Sequence, residues 1–166
     1  MTIPESLRIR SIKKRSIMHS QQYKYIMRPN FEPRSNKPPL RFEVEGDPIP
    51  FFKSRHTNRK SWDSIQTAIR KYKINLENQH ENHPVLEGPL FLYAEFYLPY
   101  RYKSDSHLID RPHADTPKLT RLVEFIEVSV HEANLIEDCA QISSQYVKKS
   151  YHDKPRTEFI LYEIVA

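Results

Sequence analysis

From Leu40 to Val44 apolar and polar residues alternate, the period of a strand with one buried face. Glu45–Gly46–Asp47–Pro48 then predicts a turn. Trp62, Ile65, Ala68, Ile69, Tyr72 and Leu76 recur three or four residues apart, which predicts a helix from Trp62 to about Glu77 with Asp63 near its start. Its other face carries Arg70, Lys71 and Lys73. Leu90 to Leu98 is apolar or aromatic on nearly every residue, as suits a central strand, and Pro99 ends it. Farther on, Thr116 is a candidate helix cap and Pro117 suits a first turn. Leu119, Leu122, Val123, Ile126 and Val130 give that helix one apolar face, with its end expected near Ala133–Asn134. Gln141–Lys149 alternates as a strand, Tyr151–Lys154 turns, and Arg156–Val165 is the last strand. The order β–α–β–α–β–β predicts an α+β fold, a mixed β-sheet with two helices packed on one face.

Composition refines this picture. A chain of 166 residues holds one domain and a tail. Residues 1–40 carry nine Lys and Arg against two acids, whereas residues 41–166 carry seventeen against nineteen. The basic character thus belongs to residues 1–39, expected to be a disordered extension, and not to the domain at 40–166. Arg8, Arg10, Lys13, Lys14 and Arg15 in that extension are candidates to neutralise phosphates, with Tyr23 and Tyr25 to stack on bases. Organelle targeting is an alternative reading of the same Arg- and Ser-rich stretch. With two glycines there is no Gly-rich phosphate loop, and one cysteine excludes an internal disulfide or a multi-cysteine zinc site. No apolar run approaches a membrane span and no secretory signal is visible, so an intracellular location, cytoplasmic or nucleoid-associated, is expected.

Candidate chemistry gathers in three places. Lys53, Arg55, Arg59 and Lys60 form a basic cluster, read either as a solvated loop or as phosphate contacts beside a cleft. His80 and His83 have metal-pair spacing but no third ligand. The stretch from His113 to Ile142 holds one helix with polar ends: His113 and Asp115 precede it, and Glu137, Asp138 and Cys139 follow. The lone Cys139 reads as a small packed residue, because the sequence places no His–acid pair beside it.

Several phrases resemble the RusA family of Holliday junction resolvases. They are RFEVEGDPIP, LEGPLFLYAEFYLP, HADTPKLTRLVE, EDCAQI, VKKSY and KPRTEFIL, spread over residues 40–166 and closest from Pro117 onward. The family places a Pro-Asp-x-Asp-Asn phrase and a lysine at the start of its helix, and an Asp-Asp-x-Gln phrase after it. Pro117, Asp138, Ala140, Gln141 and Ile142 match. Lys118 and Thr120 stand at the two Asp positions before the helix, Arg121 at the Asn, Glu124 at the Lys and Cys139 at the second Asp after it.

The resemblance implies a homodimer acting on four-way DNA junctions in recombination and repair, and a Mg²⁺-dependent endonuclease in the family. Those enzymes hold Mg²⁺ with clustered carboxylates. Replacing three of them with Lys118, Thr120 and Cys139 leaves few oxygen ligands and adds a cation that attracts phosphate. The leading expectation is therefore a nuclease scaffold that binds branched or duplex DNA without cutting it and without a cofactor. Lys53, Arg55, Arg59, Lys60, Lys118, Arg121, Lys148 and Lys149 would be its backbone contacts. One alternative is an active nuclease using Mg²⁺ held by rewired ligands drawn from Asp110, His113, Asp115, Glu124 and Asp138. Another is a scaffold subunit of a larger assembly, docked on RNA or an acidic protein through the basic tail.

Overall fold

The computed structural model describes residues 39–52 and 59–164. The extension at residues 1–38, Lys53, Arg55 and Val165 lie outside the described residues, as do the side chains of Arg59, Lys60 and Trp62. The elements follow the expected order: β1 (Leu40–Glu45), α1 (Arg59–Gln79), β2 (Leu90–Leu98), α2 (Leu119–Glu132), β3 (Ile142–Tyr151) and β4 (Arg156–Glu163). Short 3₁₀ turns at Lys103–Leu108 and Cys139–Gln141 flank α2. The strands form one four-stranded mixed sheet in the order β1-β4-β2-β3. Only the β2–β3 pair is parallel, because α2 carries the chain back between those two strands.

The pleat sorts the sheet into two faces. On one, Leu40 lies opposite Leu161, Phe42 opposite Phe159, and Leu92 and Ala94 continue the same rows. Both helices pack on this face. Ile65, Ile69, Tyr72 and Leu76 of α1 and Leu122, Phe125, Ile126 and Val130 of α2 join it in a single core. The Tyr72 and Phe125 rings meet edge to face, 4.9 Å apart, and lock the helices together.

On the other face β2 presents Phe91, Tyr93, Glu95 and Tyr97. Phe91 stacks on Tyr162 and Tyr93 on Tyr146, while the Arg156 guanidinium lies 3.9 Å from the Tyr97 ring centre. Glu43, Glu158 and Glu95 stand directly opposite one another on three strands, where like charges repel. Arg156, 2.7 Å from Glu158, and Lys148, 3.0 Å from Glu95, offset that repulsion. Burial pushes the Glu95 carboxyl up, but hydrogen bonds from Tyr93, Tyr97 and Lys148 outweigh it and hold the group below its ordinary range.

The ends of α1 and α2 are fixed by named contacts. Gln79 pairs with both backbone groups of Glu43, and His80 donates to the Arg41 carbonyl at 2.8 Å. These side chains occupy the outer edge of β1, a position otherwise open to another strand. His80 is thus engaged with backbone, and His83 likewise donates to the Pro84 carbonyl at 2.7 Å. After Ala133, Asn134 takes φ 54°. Its N–H donates to His131, that of Leu135 donates to Val130, and the buried Leu135 side chain completes a Schellman stop.

Burial pushes the Tyr72 phenol up to about 12, against about 10 in an unfolded chain. The folded state resists an ionisation that the unfolded chain undergoes. This stabilisation is therefore full below about pH 10 and is lost as pH rises toward 12. In urea unfolding, wild type should lose about 1 kcal/mol more than Tyr72→Phe between neutral pH and about pH 11. Parallel stability curves would contradict this.

Candidate functional site

A cleft of about 660 Å³ opens at the amino end of α2, where three segments meet. The first follows β1. Gly46 turns the chain at φ 104°, a conformation that costs glycine little, and its N–H donates to the Pro155 carbonyl at 3.1 Å. Asp47, Pro48, Pro50 and Phe52 then line one wall. Buried Phe51 fastens that wall, its N–H donating to the Arg121 carbonyl at 2.9 Å. The second segment is the end of β2, Leu98 and Pro99. The third runs from His113 to Arg121.

The loop ahead of α2 is tied along the edge of β3. Asp110 N–H donates to the Tyr151 carbonyl, Tyr151 N–H to that of Arg111, and His113 N–H to that of Lys149, all at 2.9–3.1 Å. The Lys149 ammonium reaches the carbonyls of Asp115 and Pro117, the latter at 2.8 Å. Lys149 thus holds the approach to the helix, and its own burial pushes its pKa down against the pull of Asp115. The Thr116–Pro117 peptide is cis and α2 begins only at Leu119. That corrects the expected Thr116 cap and Pro117 first turn: Lys149 fastens the chain at Pro117, so the helix starts beyond it.

Lys118 therefore occupies the cap position, in extended backbone and with no side-chain cap bond. No acid stands in the first turn. The first backbone bonds back to the Lys118 carbonyl come from Arg121 and Leu122, at 3.0 and 3.3 Å. The N–H groups ahead of them lie before the first intrahelical bond, and the helix's own first turn holds no carboxylate to balance its positive end. Arg121 lines the cleft one turn in and pairs with Glu124 at 3.1 Å. Both partners are more than a third exposed, so the pair contributes at most about 1 kcal/mol and a phosphate can compete for the guanidinium.

His113 completes the set. It is 9% exposed, its ring lies 4.4 Å from that of Tyr151, and its buried Nδ1 has no hydrogen-bond partner among the described residues. Burial and the Lys149 charge push its pKa down against Asp115, so the ring is neutral at pH 7. An unpartnered buried polar atom costs about 1–3 kcal/mol.

The expected site residues thus divide. Lys118 and Arg121 come together at the cleft, with Thr120 exposed on the same helical turn. Lys148 and Lys149, adjacent on a strand, point to opposite faces of the sheet, so they do not act as one patch. Lys148 pairs with Glu95 and Lys149 is a positioning residue. The remaining acids serve separate neighbours. Asp115 accepts from the Tyr151 hydroxyl at 3.3 Å, Glu124 binds Arg121, and Asp138 caps the Cys139–Gln141 turn through Ala140 N–H at 2.7 Å. Cys139 sits partly buried, its thiol 3.4 Å from the Glu127 carbonyl, and burial with Glu127 and Asp138 nearby pushes its pKa up. Among the described residues no three His, Cys, Asp or Glu gather as a metal site. The cleft itself holds one carboxylate, Asp47, beside the cations Lys118 and Arg121.

Phe52 and Asp47 are cleft residues that the sequence pattern did not single out. The signal was the pair Phe51–Phe52 between prolines and a basic run. Adjacent residues of an extended segment diverge, so one ring is buried and the other is left at the surface.

Among the described residues no helix is long and apolar enough to cross a membrane. No family model matches the chain, and no curated protein matches it.

Proposed function

We propose that this chain is a RusA-like nucleic-acid-binding protein that grips the backbone of branched or duplex DNA at the amino end of α2 and does not cut it. One observation carries the reading: Lys118, Arg121 and His113 line a cleft at a helix start that has neither a side-chain cap nor an acid in its first turn. Such a helix start favours an anion, through free N–H groups and the helix dipole. Two flexible cations beside it suit phosphate, where the resembling enzymes carry carboxylates for a metal. The mixed sheet with two helices on one face is compatible with that family. A homodimer matches the two-fold symmetry of a four-way junction. The basic run Lys53, Arg55, Arg59 and Lys60 follows Phe52 directly in sequence and extends the backbone contact.

Incubation with a labelled four-way junction in Mg²⁺ or Mn²⁺ tests the proposal. The expected result is a retarded complex with intact strands. Cleavage in either metal, lost in Asp138→Asn, would overturn it in favour of rewired metal ligands.

A further inference from the structure

We infer that the cleft takes one unpaired nucleotide, its base against Phe52 and its phosphate at Lys118 and Arg121; this rests on the nucleic-acid reading above and names the form of substrate.

Phosphate contact alone does not explain the cleft's walls. A groove that tracks only the backbone is polar. Here four prolines and Leu98 line the space, and Phe52 stands among them 51% exposed. An exposed phenyl ring beside two cations is the pairing that single-stranded nucleic-acid sites use, stacking for the base and charge for the phosphate. Phe52 is also held in place. Its neighbour Phe51 is buried and its N–H donates to the Arg121 carbonyl, so the backbone that carries the ring is joined to the backbone that carries the guanidinium. The prolines stiffen the same segment by fixing φ at two of its residues.

The polar atoms fit a nucleotide as well. Asp47, in the same cleft, offers a carboxylate that accepts from the exocyclic amine of a base. The volume, about 660 Å³, lies in the range of sites for small organic groups, roughly 300–1,000 Å³. A paired duplex keeps its bases stacked inside, so only a single strand, a bulge or an extruded base can reach the ring.

Fluorescence anisotropy on the full chain tests the inference with three labelled probes of one length: a paired duplex, the same duplex with one central unpaired nucleotide, and a single strand. The bulged duplex and the single strand should each bind about tenfold more tightly than the paired duplex. Phe52→Leu keeps apolar bulk but loses the aromatic face. It should abolish that preference, whereas Phe52→Tyr should retain it. Equal affinity for all three probes, or a Phe52→Leu loss shared equally by them, would overturn the inference and leave backbone binding standing. No binding of any probe would overturn both.

Discussion

Phe125→Ala is expected to lower the unfolding free energy by about 3–5 kcal/mol. The side chain is 1% exposed and faces Tyr72 across the gap between the two helices. Its removal forfeits the transfer energy of the ring and the edge-to-face contact. It also leaves a cavity that Leu122 and Ile126 cannot fill, since they are already fully packed. A domain of this size has about 5–15 kcal/mol in total, so the variant should sit near the edge of folding. Urea unfolding measures it: the midpoint should fall sharply while the slope stays constant. A loss under about 1 kcal/mol would mean that the α1–α2 contact is not a principal support of the fold. Phe52→Leu, half-exposed at the cleft, is the matched control, with an expected change within about 0.5 kcal/mol.

Periodicity captured the elements because burial alone decides them. Leu90–Leu98 was legible to the residue, since a strand buried on both faces between a Gly-Pro turn and a proline has no other reading. The end of α2 was equally plain: Asn134 supplies the left-handed residue and Leu135 the apolar contact of a Schellman stop. Phe125 falls outside the stripe read from Leu119, Leu122, Val123, Ile126 and Val130, yet it is fully buried. The buried arc of α2 is wider than that stripe because the helix faces both the sheet and α1.

Tertiary partners decided what the sequence hid. The start of α2 depends on Lys149, a residue of β3, taking the carbonyls of Asp115 and Pro117; no local propensity encodes that. The same contact ties the Lys149 ammonium to backbone carbonyls, and strand alternation turns Lys148 to the opposite face, toward Glu95. Of the candidate site, Lys118 and Arg121 were legible from sequence because they stand where the resembling family has its Asp and Asn. Phe52 and Asp47 were not, because they reach the cleft only after β1 and the proline segment fold against α2.

The second large effect belongs to Lys118 and Arg121. Lys118→Glu with Arg121→Glu replaces both cations of the cleft with carboxylates at a helix amino end. Lys118 is exposed and Arg121 only partly buried, so the fold should survive with a small loss. Binding should not. Like charges brought together at an interface cost several kcal/mol, so affinity for duplex or junction DNA at low salt should fall on the order of a hundredfold. Circular dichroism and the urea midpoint establish that the variant is folded. A folded variant of unchanged affinity would remove these residues from the interface.

The most direct measurement is the salt dependence of that binding. Each phosphate neutralised by a cation releases counterions, and the plot of log Kobs against log salt falls with a slope of about −0.9 per contact. For wild type and a four-way junction the plot should fall linearly, and for the double variant the slope should be shallower by about 2. A wild-type affinity independent of salt, or a double variant of identical slope, would contradict phosphate recognition at the start of α2.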